Sequence, residues 1–215
     1  PAHMDRKEKG KALLKLFSND SLHFTLTVSN VKPGDMLTVA HIHTGGVLET
    51  GGVFVLLVDN NTVKFVNGKA EGKVKLTAEQ SERVAAGTDL YVNVHSLEKP
   101  PGLVRGQLDI PLIYGADIPL TGDCEIPPVN TTATGVAVLR ISENKMLFSR
   151  IDIQNLESED ALTVAHIHSG DKNTNGPPLI FLAHEPGDFG VNRSQTIPDN
   201  LVQPLLKDAT YVNAH

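Results

Sequence analysis

The feature that most restricts what this chain can fold into is a duplication the size of a domain. The seven residues Leu37 to His43, LTVAHIH, recur unchanged as Leu162 to His168. The same offset of 125 positions relates Gly10 to Gly135, Leu22 to Leu147 and Gly51 to Gly176. Further on, YVNVH (Tyr91 to His95) matches YVNAH (Tyr211 to His215) at an offset of 120, so the second copy is five residues shorter in between. A period this long excludes a solenoid, whose units run about 20–50 residues. It implies two folded units of about 100 residues, a size that supports its own core.

The ends of the two copies do not correspond. Leu120 to Gly135, LTGDCEIPPVNTTATG, has no counterpart before the first copy, and most of His95 to Ile110, HSLEKPPGLVRGQLDI, has none after the second. We therefore read residues 1–4, PAHM, as a cloning remnant, 5–111 as a first repeat lacking its opening segment, and 112–215 as a second repeat lacking its last strand. Unfinished ends lead to the expectation that copies of the chain pair with one another as a homo-oligomer.

Within each copy the pattern is that of strands. In LHFTLTVS, Leu22, Phe24, Leu26 and Val28 alternate with polar residues, the period of a half-buried strand. Met36 to His43 follows a Pro33-Gly34 turn signal, and Val53 to Val58 is a short apolar run. Val63 to Val66, Gly72 to Leu76, DLYVNVH and LVRGQLDI complete the set of expected strands. One helix is signalled: Thr77 and Gln80 have capping-box spacing, and Gly87 ends the segment. Its counterpart, Pro198 to Asp208, contains Pro204 and is expected to be shorter or broken. With aromatics at 5% and no Trp, the core must be built from Val, Ile, Leu and Thr, which suits strands. The expectation is an all-β fold: an antiparallel Greek-key sandwich or barrel, of superoxide-dismutase-like or immunoglobulin-like type, in two repeats.

The chemistry lies on these strands. His41 and His43 are two apart, so they project from one face about 6–7 Å from each other. Tyr91, Asn93 and His95 also share a face. If the two strands are neighbours, three imidazoles meet, and His166, His168 and His215 repeat the set. Imidazole suits copper and zinc, whereas Ca²⁺ and Mg²⁺ prefer oxygen. The competing reading is a cluster of half-buried structural histidines, bonded to a strand carbonyl or to Asn93. Retention of all three histidines in both copies favours a metal. Of the others, His3 lies in the remnant, His23 is on a polar strand face, and His184 aligns with Asp59 as a candidate fourth ligand or an exposed turn residue.

Several classes are excluded. A formal charge of −6 argues against nucleic acid, whose binders need clustered cations. No apolar run approaches the length of a membrane span. The one cysteine, Cys124, forbids an internal disulfide. Four Asn-x-Ser/Thr sequons, at Asn19, Asn60, Asn130 and Asn192, would be glycosylated on a eukaryotic secretory route. No phosphate loop or Ser-His-Asp order is present, and Glu157 to Asp160 reads as a solvated turn.

LTVAHIHTG, GGVFVLL, LTAEQ, LYVNVHS, PGLVRGQL and EIPPVNTTATG together resemble the CHRD domain, named from the developmental protein chordin. The resemblance covers nearly the whole chain and implies an extracellular, β-sandwich or barrel protein. A more distant likeness is to copper/zinc superoxide dismutases, in the order His-x-His, then His, then a glycine loop with arginine. It implies copper on His41, His43 and His95, with Arg105 steering an anion to it, and superoxide-dismutase-like redox activity as the strongest form. No bridging histidine or zinc cluster lies between Gly46 and Leu90, and the second copy has no match for Arg105. The expected function is a secreted metal-binding tandem protein, copper before zinc, with no organic cofactor. The alternative is a non-catalytic extracellular module that binds protein or matrix.

Overall fold

A computed structural model describes residues 7–215, so His3 lies outside the described residues. Two compact units are present, one ending at Pro111 and the other running from Leu112 to His215. Each is a pair of antiparallel sheets sharing one core, and neither closes into a barrel.

The first unit contains β1 (Lys9–Leu16), β2 (Ser21–Ser29), β3 (Leu37–Thr44), β4 (Val53–Val58), β5 (Lys69–Lys75), α1 (Ala78–Ala86), β6 (Leu90–Ser96) and β7 (Val104–Gln107). One sheet has the order β1-β2-β5 and the other β4-β3-β6-β7. The alternation read in β2 is realised: Leu22, Phe24, Leu26 and Val28 are buried while His23, Thr27 and Ser29 are exposed. They meet Ala40 and Ile42 of β3, Val55 and Leu57 of β4, and Val92 and Val94 of β6 in one cluster. Ile42 is fully buried, so truncation to Ala would cost about 2–5 kcal/mol. α1 carries the complete capping box between Thr77 and Gln80, and Gly87 closes it in the left-handed conformation with φ 74°.

The second unit contains β8 (Leu112–Thr121), β9 (Thr134–Ser142), β10 (Met146–Gln154), β11 (Ala165–Ser169), β12 (Pro178–Ala183), β13 (Arg193–Thr196), α2 (Asp199–Lys207) and β14 (Thr210–Ala214). Its sheets have the orders β13-β10-β9-β8 and β12-β11-β14. β8 pairs along β9, an edge to which the first unit has no counterpart among the described residues. No described helix is long and apolar enough to cross a membrane.

Two local expectations need correction. Val63 to Val66 is not a strand; only Val66 joins a bridge, to Lys69, around a reversal in which Asn67 and Gly68 take positive φ. Short apolar alternation there serves a turn rather than a ladder. α2 is neither short nor broken: it has nine residues, as α1 does, with Pro204 inside. Proline removes one intrahelical bond, but Leu201, Val202, Leu205 and Leu206 pack on the core, and such packing supplies most of a short helix's stability. In β3, Leu37 does not share the histidine face. One extra residue in β3 between Leu37 and Ala40, relative to β6, turns Leu37 to the core.

Candidate metal centres

β3 and β6 are adjacent, with His41 opposite Asn93 and His43 opposite Tyr91. Because Ala40 and Ile42 enter the core, His41 and His43 must point from the opposite face of the sheet. His95, two residues beyond Asn93 on β6 and so on the same face, completes the group. The ring centroids form a triangle of 5.3 Å (His41–His43), 5.2 Å (His41–His95) and 6.1 Å (His43–His95). In the second unit His166 and His168 of β11 and His215, directly after β14, form a triangle of 5.3, 5.3 and 6.2 Å. In each trio, one ligand atom per histidine lies within 4.8 Å of the others.

The protons on these rings follow from their partners. His43 Nδ1 is 3.1 Å from the Gly51 carbonyl oxygen, and His95 Nδ1 is 2.7 Å from that of Pro100. A carbonyl only accepts, so each Nδ1 carries the hydrogen and each neutral ring keeps its lone pair on Nε2. His41 brings Nδ1 instead, 3.3 Å from His95 Nε2. The first centre therefore presents one Nδ1 and two Nε2 atoms. The second repeats the arrangement at two of its three histidines: His168 Nδ1 donates to the Gly176 carbonyl at 2.9 Å, while His168 Nε2 and His166 Nδ1 are buried without a partner. His43 Nε2 is likewise buried and unpartnered. A buried lone pair left unsatisfied is costly, and a cation satisfies it.

A second layer fixes the rings. Tyr91 stacks on His43 at 5.1 Å and 9°, and Tyr211 on His168 at 5.0 Å and 13°. The Gly51 N–H donates to the Tyr91 hydroxyl at 3.4 Å, and the Gly176 N–H to the Tyr211 hydroxyl at 3.2 Å. One glycine thus ties the tyrosine to the histidine it stacks on, through opposite ends of its peptide groups. Only glycine fits: a Cβ would lie 2.1 Å from the Thr44 carbonyl oxygen at Gly51 and 1.7 Å from that of Ser169 at Gly176. Outer partners of this kind orient ligands and set their tautomer. The offset that pairs Gly51 with Gly176 was the available sequence signal, but a backbone carbonyl has no letter of its own.

Burial and neighbouring imidazoles favour the neutral form of one histidine in each centre, His41 and His166. Desolvation, then the charges of His95 and His43, push His41 down from 6.5 to about 4. His166 is pushed in the same direction by burial and by His215, His168 and His184. Neutral imidazole is the form that binds metal.

The remaining candidates lie at the margins. Arg105 sits on β7 opposite Asn93, its guanidinium 3.5 Å over the Tyr91 ring. It donates to the carbonyl oxygens of Glu49 (2.6 Å) and Gly46 (2.5 Å) and to the Gln107 side chain (2.8 Å). Its observed contacts therefore hold the 46–49 loop against Tyr91. His184 stacks on Phe181, which in turn meets His166 edge-on at 4.2 Å, so an aromatic ring touches both histidines. Asp59, at the matching place in the first unit, spends its carboxylate on the N–H groups of Asn61 and Thr62 and the Thr62 hydroxyl. His23 is exposed, 4.5 Å from the Phe17 ring. Cys124 is exposed and accepts from the Thr121 hydroxyl at 3.4 Å. All four sequon asparagines lie outside the strands and helices.

Among known families, the CHRD domain matches residues 1–108 and again residues 117–215. Chordin of Danio rerio is 25% identical over 211 residues, a match covering 91% of this chain and 21% of that protein. The chain thus spans about a fifth of that relative's length. No solved structure matches.

Proposed function

The chain belongs to the CHRD-domain family, as two tandem copies, and on that premise we propose that it is a secreted protein whose repeats each bind one transition-metal ion, copper in preference to zinc. The observation that carries this reading is the convergence of three imidazoles in the same triangle twice, with carbonyl acceptors assigning two of the lone pairs in the first centre and one in the second. An all-imidazole donor set suits both ions, and copper(II) stands above zinc(II) in intrinsic affinity. His41, His43 and His95 would hold the first ion and His166, His168 and His215 the second. Three protein ligands leave a further position open, as catalytic rather than structural sites do. Turnover of superoxide at that position is the strongest form of the proposal, and pulse radiolysis of the copper-loaded protein tests it separately. Extracellular location is supported by the family resemblance and by sequons placed in loops.

A second reading is supported by the 3.3 Å approach of His41 Nδ1 to His95 Nε2, which a simple N–H···N hydrogen bond can occupy. In that reading the histidines are structural and the protein is a non-catalytic extracellular module that binds protein or matrix. Electron paramagnetic resonance after one and two equivalents of Cu²⁺ separates the two. Metal binding predicts nitrogen hyperfine structure from coordinated imidazoles, lost stepwise in His43→Ala and His43→Ala/His168→Ala. A spectrum of aquo-copper alone in the folded wild type would contradict it.

A further inference from the structure

The formal charge of the chain is −6, yet one sheet face is strongly basic. The residues of β1, β2 and β5 that point away from the core include Lys9, Lys11 and Lys15 on β1 and Lys69, Lys73 and Lys75 on β5, all exposed. β2 lies between them. Its register sets Lys11, Thr27 and Lys69 on one rung and Lys15, His23 and Lys73 on another. Two rows of ammonium groups therefore run along the sheet about 10 Å apart, since neighbouring strands are about 4.8 Å apart. Between them runs a polar row of His23, Thr25, Thr27 and Ser29.

Little on this face neutralises the charge. Glu71 pairs with Lys69 at 2.6 Å, and Asp20, at the end of the sheet, pairs with Lys75 at 3.4 Å. Among the described residues no carboxylate pairs with Lys9, Lys11, Lys15 or Lys73. The fold does not require this. At the equivalent rungs of the second unit Val136 and Asp152 replace Lys11 and Thr27, and Arg140, Phe148 and Ser194 replace Lys15, His23 and Lys73. Its cations are matched by acids: Arg140 with Asp117 at 2.8 Å and Arg150 with Asp152 at 2.8 Å. The same scaffold is neutralised in one copy and left cationic in the other. Closely spaced like charges repel, so this face costs stability unless an anion lies on it.

We infer that the outer face of the β1-β2-β5 sheet binds a linear sulfated polysaccharide. Sulfate groups on both sides of such a chain would meet the two lysine rows, and the Thr25, Thr27 and Ser29 hydroxyls can bond sugar hydroxyls between them. Lysine offers compact point charges suited to many separate anions rather than the bidentate fork used on base edges. Aromatic rings are confined to one end, where Lys15 lies 4.9 Å over Phe17, so the face lacks the row of stacking platforms that single strands use. Besides Phe17 at that end, Leu13 is its one exposed large apolar side chain among the described residues, too little for insertion into a bilayer.

The test is calorimetric titration of the whole chain with heparin, in chelator, so that the histidine centres do not contribute. Binding should weaken linearly in log affinity against log salt. In Lys9→Gln/Lys11→Gln/Lys15→Gln/Lys73→Gln, with an unchanged circular-dichroism spectrum, affinity should fall about tenfold or more and the salt slope become shallower. Arg140→Gln/Arg150→Gln should leave both unchanged. The inference is overturned by any of three results: no heparin binding at physiological salt, equal binding by the quadruple variant, or equal binding of unsulfated hyaluronan. Tighter binding of oligo(dT) or of phosphatidylserine vesicles than of heparin also overturns it.

Discussion

The first and second units hold their histidines alike and surround them differently. The triangles agree side for side within 0.1 Å, and both keep a tyrosine stacked on the second histidine and a glycine carbonyl on its Nδ1. Around the first lie Arg105 and the Pro100 carbonyl; around the second lie Phe181, His184 and an Asn213–Glu125 contact at 3.4 Å. The periphery has drifted while the trio, the tyrosine and the glycine have not. Packing alone would not demand this, because core positions tolerate exchange of similar residues. The proposed metal sites would account for the shared part as a requirement on the three lone pairs.

That comparison can be broken one centre at a time. The largest effect is expected from His41→Ala/His43→Ala, which should abolish metal uptake in the first unit and leave the second intact, with His166→Ala/His168→Ala doing the reverse. Cross-loss in both centres, read by metal titration, would show that they are not independent. Next in size is Gly51→Ala. Its Cβ would displace the carbonyl that orients His43, and loss of such an outer partner costs about 10–100-fold in affinity. Gly176→Ala should do the same to the second centre only, so paired titrations test whether the glycine clamp is equivalent in the two.

Acid should act on both centres through the same sign. His41 has its folded pKa lowered from 6.5 to about 4, so its contribution to stability is complete above about 6.5 and is lost as pH falls toward about 4. Thermal unfolding of metal-free protein should show a falling midpoint over that window, and His41→Gln should flatten part of the slope. A midpoint in His41→Gln that falls as steeply as in the wild type would remove His41 as the cause. The smallest effect is expected from Arg105→Gln. Loss of its bonds to the Gly46 and Glu49 carbonyls should loosen the loop over Tyr91 and raise amide exchange there. Metal affinity at the first centre should change only a few fold, as expected for a charge held in an exposed position.

Much of this was legible in the letters, for reasons that differ by element. β2 was readable because its alternation reports one buried face, and α1 because its caps are side chains. β1 was not, since KGKALLKL puts lysines and exposed apolar residues on an edge strand with little burial to pattern it. α2 was misjudged because a single proline speaks locally whereas core packing does not. The six histidines were readable from duplication. Their tautomers were not, because Gly51, Gly176 and Pro100 act through backbone oxygens. The lysine face was hidden too: its rows lie some sixty residues apart in sequence and meet only through the register of β2.

The central claim is that each repeat binds its own ion, and elemental analysis tests it most directly. Chelator-treated protein, reloaded with Cu²⁺ and cleared of free metal, should carry two ions per chain. Each histidine double variant should carry one, and the two double variants combined should carry none. A folded wild type that retains no copper or zinc after reloading, or that keeps two ions in either double variant, would contradict the account.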